Sequence, residues 1–385
     1  MKKAYNETWI ENIGNQAIIK NWHEQKMLSD EQFNAAQNAF PVGFHRSNIF
    51  VKIGLFLFTN IVGSASFGFL SLFLAGVLSE SSIGLGIISL IYAGILFFFL
   101  EYFIKKNNFY RSGADNALLY AMLGAVFAFF IAISDFELPA WIYCSIALII
   151  LLPALLRYAD PLVAISLYLT WIALWFIIVT KFPIGKLIIP FVIMLVSAAS
   201  YFFIQFWRKQ ENTPYYTDCQ DIIEILALAT FYLGGNYLVV REGNAMLNGL
   251  SDSIQISFAP LFYLLTAAIP VFYMVRGLQK HNRKLLIVGI LAIAFSVFTY
   301  RTYFSVLPLE LALTIGGGLL VLLIIFTIRA LKTQKFGLTY MALGSNKFQN
   351  LEAFIVNQAI QQPSQSDKMK FGEGNFGGGG AGSEY

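Results

Sequence analysis

The feature that most constrains the fold of this chain is a nearly unbroken succession of apolar segments across residues 50–328. Each segment has about the 20 residues that a helix needs to cross the hydrocarbon core of a bilayer. Only 12% of the residues are charged, about half of the roughly 25% that is typical of soluble domains. Lipid tolerates such a composition because a helix satisfies its own backbone hydrogen bonds. The sequence therefore predicts an all-α membrane protein, a polytopic bundle of about ten transmembrane helices.

Ten apolar segments are candidates for membrane spans. They are 53–76, 83–104, 114–134, 139–156, 161–180, 185–207, 220–240, 254–275, 284–300 and 307–328. The count is most easily wrong by one at the connection between Arg157 and Pro161, where two apolar segments nearly merge. The loops between the segments are short, so no soluble domain is expected among them.

Two polar regions flank the predicted transmembrane bundle at 50–328. Residues 1–49 are expected to form a cytoplasmic helical hairpin, whose second helix begins at the capping box made by Ser29 and Gln32. Residues 329–385 form a polar tail that becomes rich in glycine, and we expect it to be largely disordered. No cleavable signal peptide is visible, so insertion is expected to begin at a mature transmembrane helix.

The basic residues predict the orientation of the chain. If the N-terminus is cytoplasmic, all but four of the 26 lysines and arginines fall in cytoplasmic segments. The exceptions are Lys181, Lys186, Arg241 and Arg301. Positive charge concentrates on the cytoplasmic side of membrane proteins. We therefore expect an even number of spans, both termini in the cytoplasm and a location in the bacterial cytoplasmic (inner) membrane.

Polar residues inside the apolar segments are the first candidates for function, because burying them in lipid is costly. Four are candidates for a substrate or ion pathway: Asn60, Asp221, Glu224 and Asn236. Together with Asp218, the two acids recur every third residue at the start of the seventh segment, so they lie on one side of a helix. Acids that merely favour a helix N-terminus, and asparagines that bridge helices, are the alternative interpretations.

Two ion pairs are predicted to have a structural role. Glu101 and Lys105 are four residues apart on one helix, a favourable spacing for opposite charges. Arg301 and Glu310 stand at neighbouring ends of the last two segments and could pair across that hairpin.

Several chemistries find no support in the sequence. Cys144 and Cys219 are isolated, and the three histidines form no metal-ligand spacing, so neither a metal site nor a cofactor is expected. The sequence has no HExxH, GxSxG or P-loop motif, and no catalytic residue is assigned. The expected partner is the lipid bilayer, with a possible protein partner for the hairpin or the glycine-rich tail, and no nucleic acid.

One short stretch resembles a known group of proteins. The sequence Leu28-Ser29-Asp30-Glu31-Gln32, followed by Pro41-Val42-Gly43, resembles the N-terminal region of bacterial multi-pass membrane proteins of unknown function. The likeness is confined to residues 22–50. It implies a short cytoplasmic helical hairpin ahead of a series of membrane helices, and it carries no activity or functional residue.

Three functions are compatible with these patterns. The leading hypothesis is permease-like handling of a small solute or a lipid-linked molecule, with a cavity bordered by Asn60, Asn236 and Glu224. The alternative is a non-catalytic membrane scaffold or envelope-assembly protein that recruits partners through its hairpin and tail. A third is an enzyme that acts on a lipid-linked diphosphate through Asp218, Asp221 and Glu224.

Overall fold

The computed structural model describes residues 2–45, 48–78, 82–210 and 214–303, together with Thr314, Gly318 and Ile325. These residues are organised into twelve α-helices and contain no β-strand. The helices are α1 Glu7–Glu24, α2 Asp30–Ala39, α3 Ile49–Leu78, α4 Ser82–Asn107, α5 Ala114–Ile133, α6 Ala140–Tyr158, α7 Pro161–Thr180, α8 Gly185–Gln210, α9 Thr217–Gly235, α10 Tyr237–Asn248, α11 Ala259–Gln279 and α12 Arg283–Tyr303. The predicted all-α bundle is confirmed.

Eight of these helices are long and apolar enough to cross a membrane: α3 to α8, α11 and α12. The predicted segment 220–240 is not one straight helix, because α9 ends at Gly235 and α10 continues at an angle of 73°. The segment 307–328 lies outside the described residues except for three isolated positions. The number and apolarity of the described helices are those of a multi-pass membrane protein, whereas a count of about ten spans stays a prediction.

Large apolar side chains on the outside of the helices fit a lipid environment. Phe58, Phe69, Phe202 and Leu291 are each between 64% and 72% exposed. A water-soluble monomer rarely exposes such residues over a wide surface. In lipid they face a medium of their own polarity, so their exposure carries no cost.

Helices that follow one another in the chain pack side by side, as short loops require: α4 on α5, α6 on α7, α8 on α9 and α11 on α12. One core lies among α4, α5, α6, α7 and α9, where Leu100, Leu119, Leu155 and Val163 are buried. A second core joins α9 to α11 and α12. Helix α9 contributes to both cores, so polar groups on it are shielded over most of its length.

The N-terminal region contributes to two compact units. Residues 2–18 belong with the described bundle, and the backbone N–H of Ala4 donates to the carbonyl oxygen of Arg157 at 2.9 Å. Residues 19–39 are the described part of a second unit. Within it the predicted capping box is present, because Ser29 N donates to Gln32 Oε1 at 3.0 Å and Gln32 N donates to Ser29 Oγ at 3.3 Å.

Candidate functional site

Asp221 and Glu224 lie one turn apart on α9 and share two basic partners from other helices. Arg208 of α8 contacts Asp221 Oδ1 at 2.8 Å and Glu224 Oε2 at 3.0 Å. Lys284 of α12 donates to Glu224 Oε2 at 2.7 Å and also to Asp221. Gln205 Nε2 donates to the other oxygen of the fully buried Glu224 at 2.8 Å. We call Arg208, Asp221, Glu224 and Lys284 the ionic cluster; its two carboxylates and two cations balance and tie α8, α9 and α12 together.

Asp218, the third acid of the stripe, has a different partner. Its carboxylate pairs with the guanidinium of Arg111, which precedes α5. Arg111 also donates to the carbonyl oxygen of Ala159 at 3.4 Å. The three acids are thus divided between two sets of cations. The described residues contain no group of three or more His, Cys, Asp and Glu side chains placed to hold a metal ion.

Glu101 forms the predicted pair and a second pair that sequence spacing did not reveal. Lys105 Nζ lies 3.0 Å from Glu101 Oε2, which confirms the first. Arg157 of α6 approaches Glu101 Oε1 at 2.7 Å, and the Tyr158 hydroxyl donates to the same oxygen at 2.9 Å. Glu101 therefore joins α4 to α6. Arg301 lies at the end of α12, but Glu310 is outside the described residues, so their predicted pair stays a prediction.

Asp115 was expected only as an acid favoured at a helix N-terminus and was not among the candidate site residues; it is 1% exposed. It opens α5, where its oxygens accept the backbone N–H groups of Arg111 and Ser112, both at 2.8 Å. The Tyr5 hydroxyl donates to it at 3.2 Å. Burial, reinforced by this carboxylate, raises the pKa of the Tyr5 phenol well above its ordinary value. Tyr5 thus remains a donor, and this contact anchors the N-terminal residues.

Asp160 caps α7 and was also missed. Its Oδ1 accepts the backbone N–H groups of Leu162 and Val163 at 2.9 and 3.1 Å. Asn116 donates to its second oxygen at 2.7 Å, and the Tyr120 hydroxyl lies 3.0 Å from the first. The signal was present in the sequence, because an aspartate directly before Pro161 matches a helix N-cap followed by proline at the first helical position.

Asn236 stands at the break between α9 and α10 and is fully buried. Its Oδ1 accepts the backbone N–H groups of Leu238 and Val239 at 3.1 and 3.3 Å, so it caps α10. Its Nδ2 contacts the hydroxyls of Tyr232 and Thr299 at 2.9 and 3.0 Å. An uncharged network therefore closes the break, and the side chain bridges three helices in the way that asparagine commonly does in membranes.

The two glycines before this break allow close packing. A Cβ on Gly235 would lie 2.6 Å from Ile269 Cδ1, and one on Gly234 would lie 2.9 Å from Met194 Cγ. Neither position has room for a larger residue unless a neighbour moves. The paired glycines thus bring α9 against α8 and α11 at the point where the helix turns.

Asn60 lies elsewhere. Its Nδ2 donates to the carbonyl oxygen of Phe56 on its own helix at 2.8 Å. The side chain lines a cavity of about 330 Å³ between α3, α4 and α5, together with Ser89 and Tyr92. The structure brings Asp221 and Glu224 together but leaves Asn60 and Asn236 in separate places. Neither Asn236 nor Glu224 lines the cavity that contains Asn60, so a single cavity among Asn60, Asn236 and Glu224 stays a prediction.

A larger cavity, of about 860 Å³, lies between α6, α7, α8 and α9 and was not predicted. We call it the apolar cavity. Its polar wall residues are Tyr168, Ser200 and the tryptophans Trp171, Trp175 and Trp207. Every other side chain that lines it is Leu, Val, Ile, Ala or Phe, and no charged residue contributes to it.

The aromatic wall of the apolar cavity follows from spacing on α7. Positions 168, 171 and 175 are three and four residues apart, which places their side chains on one face of a helix. The sequence signal was this aromatic stripe, and a search restricted to charged and amide residues passes over it.

Comparison of the chain with known protein families, with characterised proteins and with solved structures finds no match. The resemblance at residues 22–50 stays a prediction. The function must therefore be inferred from the chemistry of the described residues.

Proposed function

We propose that this protein is a permease-like membrane protein that handles a lipid-like or lipid-linked molecule through the apolar cavity. The observation that carries the proposal is the cavity itself: about 860 Å³ between four helices, with tryptophan and tyrosine in a wall that has one serine and is otherwise apolar. Its volume lies within the roughly 300–1,000 Å³ that is usual for ligand pockets.

The walls favour a lipid-like ligand over a small polar solute. A polar solute gives up its hydration on entry and needs hydrogen bonds or charges in return. No acidic or basic side chain lines this cavity. A hydrocarbon chain needs no such compensation, and it gains contact with the aromatic rings.

The shape of the apolar cavity also favours a chain. Val192 and Trp207 both line it from α8. At a rise of 1.5 Å per residue they are about 22 Å apart along the helix. The end marked by Trp207 and Ile223 is next in sequence to Arg208 and Glu224 of the ionic cluster. An amphiphile can therefore place its chain along α8 and its head group near that charged end.

Bromine quenching of tryptophan fluorescence tests the proposal. Three of the six tryptophans line the apolar cavity. Titration of the detergent-solubilised protein with a long-chain fatty acid brominated in its chain should give saturable quenching. Ala199→Phe, which fills the cavity from α8, should weaken it at least fivefold.

Ala268→Phe is the matched control, because Ala268 is an exposed alanine on α11, outside the walls of the apolar cavity. It should quench like the wild type. Quenching that never saturates, or that responds equally to the two substitutions, would count against a chain-binding site.

Location and orientation are part of the proposal. The charge asymmetry supports a bacterial inner membrane with both termini in the cytoplasm. Single cysteines introduced at Lys181 and at Lys280, in a variant without the two native cysteines, should react with an impermeant thiol reagent in intact spheroplasts only at position 181. Reaction only at position 280 would mean that the orientation is the opposite of the proposed one.

A scaffold that recruits partners is the second candidate, and one observation favours it. Residues 19–39 are assigned to a different unit from the bundle, and they contain the Ser29–Gln32 cap. If recruitment is the function, replacing 19–39 by a flexible linker of equal length should abolish the cellular phenotype and leave fatty-acid binding unchanged. If transport is the function, the phenotype should instead follow Ala199→Phe.

A further inference from the structure

We propose that a cavity beside α10 binds an amphiphile with an anionic head group, which Lys186, Asn244 and Gln255 recognise. We call this space the α10 cavity; its volume is about 380 Å³, and helices α7 to α11 surround it together with the loop between α10 and α11. It shares no lining residue with the apolar cavity. The inference therefore goes beyond the proposed function and does not rest on it.

The α10 cavity forms where α10 turns away from α9. The angle between the two helices is 73°, so α10 leaves a space beside the first turns of α8. The α10 residues that line this space are three and four positions apart and share one helix face: Val240, Gly243, Asn244 and Leu247. A Cβ on Gly243 would have no neighbouring group within 4 Å, so the space is open at this point.

One positive charge stands at the edge of the α10 cavity. Lys186 lines it from the start of α8, is exposed, and is the one charged residue among the described lining residues. Its ammonium donates to Asn248 Oδ1 at 3.1 Å, an uncharged acceptor on α10. It forms an ion pair with no acid that the structure describes. An anion in the cavity would therefore meet a cation that no carboxylate neutralises.

Neutral donors accompany this charge. Asn244 Oδ1 accepts from Asn248 Nδ2 at 3.1 Å, whereas Asn244 Nδ2 is accessible and donates to no residue that the structure describes. Gln255, in the loop before α11, lines the same cavity, and its amide also has no partner among the described residues. The oxygens of a phosphate or a carboxylate accept from such N–H groups, and these hydrogen bonds are stronger than those to a neutral acceptor.

The rest of the wall indicates that the anion belongs to an amphiphile. Apart from Thr230 and Ser257, every other side chain that lines the α10 cavity is apolar or glycine. Lys186 and Ile193 both line it from α8, and they are about 10.5 Å apart along the helix. A free inorganic ion would use only the donors and leave this apolar depth unoccupied, whereas a hydrocarbon chain gains from being buried there.

Native mass spectrometry of the detergent-solubilised protein tests the inference by counting bound lipid molecules. The starting protein is Ala199→Phe, in which the apolar cavity is filled, so that binding there is not mistaken for binding in the α10 cavity. Lysophosphatidic acid and lysophosphatidylcholine of one chain length are titrated separately. They differ in the choline group, for which the described wall offers no acid. We expect lysophosphatidic acid to bind about fivefold to tenfold more tightly, and inorganic phosphate at the same concentration not to displace it.

Lys186→Gln tests the recognition of the head group. It removes the cation and keeps a side chain that forms hydrogen bonds, and it should remove most of the preference for lysophosphatidic acid. Lys181→Gln is the matched control, because Lys181 is also exposed but lies over the Trp141 ring at 5.0 Å and outside the walls of the α10 cavity. In that variant the preference should remain.

Gly243→Leu tests the position of the ligand. It places a side chain in the open part of the α10 cavity and should weaken the binding of both lipids by about fivefold or more. Gly94→Leu is the matched control, because a Cβ on Gly94 would also have no neighbouring group within 4 Å and Gly94 does not line the cavity. It should bind both lipids like the starting protein.

Three results would overturn the inference. They are equal binding of the two lipids by the starting protein, a preference for lysophosphatidic acid that survives in Lys186→Gln, and displacement of this lipid by inorganic phosphate. Binding that Gly243→Leu leaves unchanged would place the ligand elsewhere and would overturn it too. Because Lys186 is exposed, its replacement keeps the test decisive if Gly243→Leu does not fold. None of these results bears on the quenching experiment, so the two proposals fail separately.

Discussion

Helices α9 and α7 differ in what surrounds their polar side chains. On α9, both oxygens of Glu224 and one oxygen of Asp221 accept from side chains of neighbouring helices, and Asn236 at the end of α9 is hydrogen-bonded through both its oxygen and its nitrogen. On α7, Tyr168 and Trp175 belong instead to the wall of the apolar cavity, which carries no charged side chain.

The contrast separates structural from functional polarity. A buried polar group that is fully hydrogen-bonded stabilises one arrangement of the helices and has nothing left to offer a ligand. A wall without charged groups can accept a hydrocarbon chain without leaving an ion unpaired. The charged residues that stand out in the sequence therefore connect helices of the bundle, and the proposed binding site lies where the sequence is almost wholly apolar.

The largest effect should come from breaking the ionic cluster. Glu224→Gln leaves Arg208 and Lys284 with one carboxylate between them and should lower the free energy of unfolding by about 3 kcal/mol, since removing one partner of a buried pair is strongly destabilising. Asp218→Asn, whose side chain is 57% exposed, should cost less than about 1 kcal/mol. Unfolding in detergent with increasing SDS measures the stability of both variants. Equal losses of stability would contradict the assignment of a structural role to the buried Glu224 alone.

The second largest effect on stability should come from the break between α9 and α10, which the uncharged network of Asn236 closes. Asn236→Ala removes the cap of α10 and the bridge to Tyr232 and Thr299, and we expect a loss of about 2 kcal/mol. Asn60→Ala removes one bond within its own helix and should change stability by less than about 0.5 kcal/mol. The same SDS titration compares them. A larger loss of stability in Asn60→Ala than in Asn236→Ala would contradict the conclusion that Asn236, and not Asn60, connects helices.

After the ionic cluster and the break at Asn236, the third and weakest of the structural contacts tested is the N-terminal anchor, the bond between Tyr5 and Asp115. Tyr5→Phe removes the donor to Asp115 and should cost about 1 kcal/mol. Because the phenol pKa is raised in the folded protein, this contribution is fully present below the unfolded pKa and is lost only as pH rises through the folded value. The difference between wild type and variant should therefore be constant from about pH 6 to about pH 9. A difference that shrinks across that range would mean that the phenol titrates early.

Much of the fold could be predicted because apolar length and helix caps are local properties. The eight membrane-length helices and the Ser29–Gln32 cap follow directly from the sequence. The break at Asn236 could not be located in the same way. Glycine is frequent in membrane helices in general, and only the packing of Ile269 and Met194 shows why the pair is needed here.

The candidate site was harder to predict than the fold. Spacing identified Asp221 and Glu224 as neighbours, but it could not show that Arg208 and Lys284, far apart in the chain, would neutralise them. The apolar cavity arises from how four helices leave space between them, which no single segment encodes. The aromatic stripe on α7 indicated a special face and did not reveal that a cavity lies against it.

A structure of the protein in lipid nanodiscs, at a resolution that shows acyl chains, tests the central claim most directly. We predict elongated density in the apolar cavity, running along α8 from Val192 to Trp207. A bundle in which α6 and α8 close over this space, or in which protein side chains fill it, would contradict the account.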